Sequence, residues 1–343
     1  MSSDILPVGK LPPELLLKIF SQNPIHDNQV ILGPGIGLDC AVINTGGPNL
    51  LVVKSEPVTF ATDQIGWYAL QVAANDIATA GALPRWYSAT LLLPENKTDE
   101  ALVLQISEQV AAACQALHIS LIGGHTEITA GLDRPLLIGS MIGEVPSNQL
   151  VTPQGARPGH KILLTKGVPI EATALLAREF PQKIIPFLGE DTVRQAAGYL
   201  HSPGISIIRD ARLAMRAGRV TAMHDPTEGG LASALWELAL ASKNNLVIDP
   251  AAVHIPSLCQ KICAVFELDP LATLASGALL LTTPSEDAPA IQRAVKAAGI
   301  PCNVIGYVTE GPGQVWCENR GQTTLLPRPA RDEITRVYER PVT

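Results

Sequence analysis

The sequence of 343 residues contains no long apolar run and no paired-cysteine metal motif. A membrane-spanning helix needs about 18 or more consecutive apolar residues, and no window reaches this length, so we expect no membrane association. The N-terminal stretch MSSDILPVGKLPP lacks the apolar core of a signal peptide. The six cysteines form no CxxC pair, which argues against a zinc site and favours reduced, buried thiols in a cytoplasmic protein.

Positive charge is also scarce. The chain has 25 Lys and Arg residues against 32 Asp and Glu residues, a net charge of -7, and its basic residues form no cluster. A nucleic-acid-binding surface normally carries such a cluster, so we expect no nucleic-acid partner. Because the overall field repels anions, an anionic ligand needs local help from backbone amides or bridging cations.

Strand and helix patterns alternate along both halves of the chain, which is long enough for two domains. In the first half we predict strands at 50–60, 85–94, 120–129 and 136–145, and helices at 12–20, 64–80 and 98–117. The turn residues Pro153, Gly155, Pro158 and Gly159 mark a boundary. Beyond it we predict strands at 161–168, 276–283 and 302–310, and helices at about 170–178, 189–200, 204–217, 222–242 and 286–299. The sequence therefore predicts an α/β (α+β) fold with domains at 1–151 and 152–343.

Two of the polar clusters lie early in the chain. In Gly33-x-Gly35-x-Gly37-x-Asp39, glycines would let backbone N–H groups approach a phosphate, although a plain turn capped by Asp39 also explains the pattern. Glu56 lies at the end of a predicted strand, where a carboxylate is either a surface residue or a ligand for a divalent metal.

The segment NDIATAGALP (75–84) places an amide and a carboxylate in a run of small apolar residues. Aspartate is a poor helix former in mid-helix, and a buried unpaired carboxylate costs roughly several kcal/mol unless a cation or donors satisfy it. A solvent-facing turn of the helix is the alternative for Asp76, but apolar neighbours on all sides disfavour it. A cation beside Asp76 is the better interpretation.

Two glycine turns, GGHTE (123–127) and HDPTEGG (224–230), complete the set. Hydroxyls, acids and glycines before a helix serve either as caps or as an anion site, and histidines in such turns are more often structural than catalytic. Carboxylates from four segments suit Mg²⁺ bridged to phosphates, because Mg²⁺ prefers oxygen ligands. These carboxylates are Asp39, Glu56, Asp76 and either Glu127 or Asp225.

The order of these motifs resembles that of the aminoimidazole ribonucleotide (AIR) synthase-related superfamily over about residues 30–310. GLDCAVI is similar to its acidic segment, Ser55-Glu56 to its Thr-Asp strand end and NDIATAGALP to its helical motif. GGHT and DPTEGGL are similar to its two glycine-rich turns. The chain looks most like the branch related to the hydrogenase expression/formation (maturation) protein.

The resemblance implies an N-terminal ATP-binding and dimerisation domain, whose sheet pairs with that of a second subunit, and a C-terminal α/β domain. It implies that ATP and Mg²⁺ bind between the domains and activate an oxygen of a small-molecule substrate by phosphoryl transfer. The implied metal ligands are Asp39, Glu56, Asp76 and Glu127. The implied nucleotide-binding residues are Asn75, Gly123, Gly124, His125, Thr126, His224, Asp225, Thr227 and Gly229. No catalytic residue follows from it.

The sequence departs from the family pattern at several positions. Glu56 replaces an aspartate, and His125 replaces the acid of a Gly-Gly-Asp-Thr turn, with Glu127 two residues further on to substitute for it. The maturation protein carries a C-terminal cysteine, whereas the last cysteine here is Cys317, so we expect no nitrile-forming dehydratase activity. Two hypotheses stay open. One is an ATP-dependent ligase-like or kinase-like enzyme, and the other is a non-catalytic nucleotide-binding accessory protein related to hydrogenase maturation.

Overall fold

The computed structural model describes residues 6, 8–319 and 321–339 and has two mixed sheets, each covered by helices. The first sheet comprises β1 (Val30–Leu32), β2 (Ala41–Ile43), β3 (Asn49–Val58), β4 (Leu83–Pro94), β5 (Ser120–Thr129) and β6 (Leu136–Pro146). Its spatial order is β1-β2-β3-β6-β4-β5, and only the β4–β5 pair is parallel among these neighbours. The helices of this half are α1 (Pro13–Gln22), α2 (Ile65–Thr79) and α3 (Glu100–Leu117).

The second sheet comprises β7 (Lys161–Thr165), β8 (Ala222–His224), β9 (Asn245–Ile248), β10 (Leu280–Thr283), β11 (Cys302–Thr309), β12 (Val315–Asn319) and β13 (Gln322–Leu325). Its spatial order is β13-β12-β9-β11-β7-β10-β8. The helices of this half are α4 (Ile170–Glu179), α5 (Pro181–Ala197), α6 (Ile208–Ala217), α7 (Gly230–Ser242), α8 (Ser257–Phe266), α9 (Ala288–Ala297) and α10 (Thr335–Glu339). The mixed α/β class predicted from the sequence is confirmed.

Helix α2 is buried on all sides. Every one of its residues except Trp67 is buried, including the polar residues Gln71, Asn75, Asp76 and Thr79. A helix that is apolar around its whole circumference belongs in the interior, because it has no face to offer to water. Here one side packs on the first sheet and the other contacts the second domain, so its polar residues lie between the two halves of the molecule.

The Gly-Gly pair at 123–124 does not form the break in the strand that the sequence predicted. β5 runs without interruption from Ser120 to Thr129, parallel to β4. A Cβ atom on Gly124 would lie 1.9 Å from the carbonyl oxygen of Ala89. Glycine is needed here for close strand packing, and this requirement produces the same sequence signal as a turn.

Within the described residues, no helix combines the length and the hydropathy that crossing a bilayer requires. All six cysteines are free thiols, five of them buried and Cys317 partly so.

Candidate active site between the domains

Strand alternation brings the first two charged groups of the site together. Lys54 and Glu56 lie two residues apart on β3, on the face that also carries the buried Leu50 and Val52. The Nζ atom of Lys54 lies 3.0 Å from Oε2 of Glu56 and 3.0 Å from Oδ2 of Asp76 on α2. The carboxylate that looked misplaced in the sequence therefore has a cationic partner within the chain.

The second domain adds a buried histidine and two more carboxylates. The Nε2 atom of His224, at the end of β8, lies 2.9 Å from Oε2 of Glu237 on α7 and 3.7 Å from Oδ1 of Asp39. Lys10 lies 3.1 Å from the other oxygen of Glu237. Asp225 follows His224 directly and is fully buried.

Three groups of this cluster lie within metal-binding distance of one another. One ligand atom each from Asp39, His224 and Asp225 fall within 4.8 Å of each other. Burial alone would lower the pKa of His224, but Asp39 and Glu237 reverse this effect and raise it to about 10. When its imidazole is protonated, His224 has no lone pair for a metal, and Asp39 and Asp225 are then the ligand candidates of this group.

The two candidate metal ligands, Asp39 and Asp225, have carboxylate oxygens without a hydrogen-bond donor among the described residues. In the described part of the chain, Oδ2 of Asp39 and both side-chain oxygens of Asp225 accept no hydrogen bond. Burial and the neighbouring Asp39 raise the pKa of Asp225 to about 7, and burial raises that of Asp76 well above its usual value although Lys54 opposes the shift.

The cluster holds more carboxyl groups than cationic side chains, so the excess is either protonated, as the raised pKa values of Asp76 and Asp225 favour, or compensated by a further cation. Five carboxylates face three cations, and these eight side chains are Asp39, Glu56, Asp76, Asp225, Glu237, Lys10, Lys54 and His224. Excess buried negative charge is costly unless a cation compensates it. The oxygen-only ligand set fits Mg²⁺, which is the ion that the sequence predicted.

The structure places Glu127 elsewhere. Glu56 on β3 lies opposite Gly139 on β6, Gly139 lies opposite Ala89 on β4, and Ala89 lies opposite Gly124 on β5. β5 therefore lies three strand spacings, roughly 14 Å, from Glu56 across the sheet. Glu127 instead pairs with His125, with 2.8 Å between Oε2 and Nε2, on an exposed strand. Within one chain, Glu127 therefore cannot share a metal with Glu56, because the sheet holds the two carboxylates apart, and its assignment as a metal ligand stays a prediction.

Gly123, Gly124, His125 and Thr126 line a separate cavity with an empty volume of about 1000 Å³. The rest of its wall is apolar apart from Ser107 and comes from β4, α3, β5 and β6, including Leu91, Ile106, Val110 and Leu137. The four residues predicted to line a nucleotide are thus together beside a cavity, but not beside the carboxylates of their own chain.

Asn75 is used for structure. Its Nδ2 donates to the carbonyl of Ile205 at 2.8 Å, and the backbone N–H of Ile207 donates to its Oδ1 at 2.9 Å. Both bonds are buried and link α2 to the second domain. The predicted role of Asn75 in nucleotide binding has no geometric support in these contacts.

In the second glycine turn, HDPTEGG (224–230), some residues support a capping role and others support an anion site. The backbone N–H of Gly229 donates to Asp332, so it is not free to bind a phosphate, and the capping interpretation is the better one for this residue. Thr227 and Glu228 line an interdomain cleft of about 990 Å³ together with Glu56, and this cleft also carries Lys10 and Arg134. Thr227 and Glu228 are therefore the residues of this turn that face this ligand-sized space.

Three residues of the site were not predicted from the sequence. Lys54 shares a strand face with Glu56, and the period of two would have found it. Glu237 lies within α7 and Glu171 at the start of α4. Neither has a local signal, because only the fold brings Glu237 to His224 and Glu171 to a pocket that it shares with Glu56.

The fold and the site define a class of two-domain α/β protein with a carboxylate cluster between its domains. Residues 37–145 match the N-terminal domain of AIR synthase related proteins, and residues 157–317 match their C-terminal domain. The chain belongs to the AIR synthase related family.

Two relatives extend over most of the chain. A putative hydrogenase expression/formation protein of Methanocaldococcus jannaschii is 27% identical over 340 residues, 96% of this chain and 97% of that protein. The carbamoyl dehydratase HypE of Rhodobacter capsulatus is 30% identical over 264 residues, 76% of this chain and 74% of that protein.

Solved structures share the fold. A hydrogenase maturation protein HypE in complex with ATP matches with a TM-score of 0.69 at 24% identity, over 88% of this chain and 91% of that chain. A HypE–HypF complex matches with a TM-score of 0.73 at 19% identity, over 92% and 99%. AaThiL complexed with AMPPCP and TMP matches with a TM-score of 0.68 at 21% identity, over 86% and 91%.

Proposed function

We propose that this protein is an ATP-binding, Mg²⁺-dependent enzyme that activates an oxygen of a small-molecule substrate by phosphoryl transfer. The observation that carries the proposal is the interdomain cluster, in which Asp39 and Asp225 keep unused buried oxygens while Glu56 and Lys10 of the same cluster line a cleft of about 990 Å³. The related structures that hold ATP or AMPPCP support the same assignment.

The proposed roles follow from charge. Asp39 and Asp225 would hold Mg²⁺, with Asp76 and Glu56 beside them, and the bound ion would neutralise the phosphates of ATP. Lys10 and Arg134 in the cleft supply further positive charge for a polyphosphate. His224 and Lys54 hold the carboxylates in position, because each contacts two of them.

We also propose a homodimer. Gly123, Gly124, His125, Thr126 and Glu127 lie on a strand three spacings, roughly 14 Å, from Glu56 in the carboxylate cluster of their own chain, and the first four of them line a separate cavity. A second chain whose β5 packs beside these carboxylates would bring the two parts together. The exposure of the whole of β5 except Thr129 supports this proposal.

Calorimetric titration with ATP and Mg²⁺ tests the metal assignment. We expect Asp76→Asn to weaken MgATP binding about tenfold or more, because it removes a charge next to the metal ligands. Asp191→Asn is the matched control, since Asp191 is exposed on α5 and pairs only with Arg194. Equal MgATP affinity in the wild type and Asp76→Asn would overturn the assignment.

The alternative is a nucleotide-binding accessory protein without catalysis. His125 favours it, because it occupies the position of an acid in the family turn and pairs with Glu127 instead. A turnover assay with candidate metabolites separates the two functions. ADP release that depends on one added metabolite supports the enzyme, and MgATP binding without turnover across the panel supports the accessory protein.

A further inference from the structure

A smaller pocket lies next to the proposed phosphate cleft. Its empty volume is about 440 Å³, and it shares Glu56, Thr227 and Glu228 with the larger cleft. Its other walls come from both domains and include Tyr68, Val72, Glu171, Leu175, Leu274 and Ser276. The pocket is therefore placed to hold a second, smaller ligand beside a bound nucleotide.

The charge of this pocket has one sign. It is lined by three carboxyl groups, those of Glu56, Glu171 and Glu228, and by no Lys, Arg or His among the described residues. Glu56 is paired with Lys54, whereas no described cation lies within ion-pair distance of Glu171. An anionic ligand would be repelled here, and a cationic one would supply the missing countercharge.

Glu171 is the most deeply buried of the three. It is 6% exposed, and the backbone N–H of Ser276 donates to its Oε2 at 3.2 Å. Burial raises the pKa of this carboxyl group to about 7. A buried carboxylate without a cationic partner is costly, and a ligand ammonium group would remove much of that cost.

Tyr68 provides a second polar group that lacks a partner. Its side chain is 1% exposed, and its hydroxyl makes no hydrogen bond in the part of the chain that the structure describes. A buried hydroxyl normally finds a partner, because leaving it unpaired costs free energy. In this pocket it is available to donate to an oxygen of a ligand.

We propose that this pocket binds a small organic amine that also carries a hydroxyl or carbonyl oxygen. The ammonium group pairs with Glu171, the oxygen accepts from the Tyr68 hydroxyl, and the carbon chain packs against Val72, Leu175 and Leu274. The inference rests on the proposed function in one respect, namely that the bound amine is the substrate of the proposed reaction. The binding site itself stands on the geometry of the pocket.

Three probes of similar size and different charge test this inference. These are 4-amino-1-butanol, the neutral 1,5-pentanediol and the anionic 4-hydroxybutyrate. Binding is measured by calorimetry without nucleotide or Mg²⁺, at a pH above the pKa of about 7 of Glu171. We expect the amine to bind the wild type about tenfold or more tightly than either other probe, as a charge-assisted contact requires.

Two variants locate the binding. We expect Glu171→Gln to weaken binding of 4-amino-1-butanol about tenfold and Tyr68→Phe to weaken it several-fold, since each removes one polar partner with little change of shape. Glu190→Gln, at an exposed position of α5, is the matched control and keeps the wild-type affinity.

Several outcomes would overturn the inference. These are equal affinities for the amine and the anion, unchanged amine binding in Glu171→Gln, and no amine binding by the wild type at millimolar concentration. Because nucleotide and Mg²⁺ are absent, none of these outcomes bears on ATP binding. A failure of the proposed function is detected separately, in the Asp76→Asn titration.

Discussion

The buried carboxyl groups of this protein differ in charge state because they differ in cationic partners. Burial would raise the pKa of Glu237, but Lys10 and His224 overcome this effect and lower it to about 2. Glu171 is also buried, has no such partner, and its pKa is raised to about 7. At the scale of single residues, contact with two cationic groups therefore keeps Glu237 ionised, whereas burial dominates at Glu171 and also at Asp76, despite its contact with Lys54.

Glu171 should make stability depend on pH. Its pKa is higher in the folded state than the ordinary value of 4.5, so its contribution is fully present below about pH 4.5 and is lost as the pH rises through about 7. Relative to Glu171→Gln, we expect the wild type to lose up to about 3 kcal/mol of unfolding free energy across this range. Urea unfolding of both proteins at several pH values measures the difference, and parallel curves would contradict the prediction.

Sequence patterns identified only those site residues whose signal is local. Asp76 is conspicuous because it interrupts an apolar helix, and Glu56 because it ends an apolar strand. Tyr68 and Glu171 carry no such signal, since each lies in a segment whose spacing is explained by core packing. Asn75 was recognised as unusual, but its two observed hydrogen bonds go to backbone atoms of the second domain, and an amide that binds backbone atoms looks the same in sequence as one that binds a ligand.

At the scale of elements, strongly periodic segments were predicted within a few residues. The helix predicted at 64–80 is observed at Ile65–Thr79, and the strand predicted at 85–94 is observed at Leu83–Pro94. The helix predicted at 189–200 corresponds to the part of α5 that follows Gly189, whose backbone is not helical (φ 77°, ψ 163°). The helical segment before Gly189, which begins at Pro181 and contains Pro186, was not predicted.

Short elements in the second half were missed. β9, β12 and β13 have four, five and four residues, and nothing in the spacing of their apolar residues distinguishes them from loops. The ten-residue α8 does carry a helical signal that was overlooked, because its buried Cys259, Ile262, Cys263 and Phe266 lie three or four residues apart. The pairing of β12 with β9 is parallel and joins segments about seventy residues apart in the chain. Such long-range pairing is specified by the assembled sheet and not by local sequence.

The start of helix α7 depends on a glycine that cannot be replaced. Gly230 has a φ of +61°, and a Cβ atom there would lie 2.6 Å from the carbonyl oxygen of Leu271. We expect Gly230→Ala to lower the unfolding free energy by about 2–5 kcal/mol, through backbone strain and overpacking.

Gly46→Ala is the matched control for this substitution. Gly46 has a φ of +82°, but no described atom lies within 4 Å of an added Cβ. It should cost only about 1–2 kcal/mol of unfolding free energy, from the left-handed backbone alone. Equal losses in the two variants, measured by urea unfolding, would show that the close approach at Leu271 has no energetic effect.

At the scale of the whole molecule, the site exists only where the two domains meet. Asp39, Glu56 and Asp76 come from the first domain, and His224, Asp225 and Glu237 come from the second. A further contact holds the domains in register, because the carboxylate of Glu179 accepts from the backbone N–H groups of Thr62 and Asp63 just before α2. Mutations that loosen the domain interface are therefore expected to affect the site as a unit.

The proposed dimer is tested on the exposed edge of the first sheet. Ile122 on β5 is 57% exposed, and we expect Ile122→Lys to weaken self-association about tenfold or more by placing a charge in an apolar interface. Sedimentation velocity at several concentrations measures this effect. Leu325→Lys is the matched control, since Leu325 is 45% exposed on β13, the edge strand of the other sheet. A monomeric wild type, or an Ile122→Lys variant that self-associates normally, would refute the proposal.

The hydrogen bonds by which the Asn75 side chain links α2 to the second domain have a consequence for protein engineering. Its two hydrogen bonds go to the backbone carbonyl of Ile205 and the backbone N–H of Ile207. Neither bond involves a side chain of the second domain. Whether the two bonds form therefore depends on the backbone conformation at 205–207 and not on the residue types there. A chimera that takes its second domain from a relative keeps these two bonds whenever the transplanted backbone follows the same path, whatever residues it carries there.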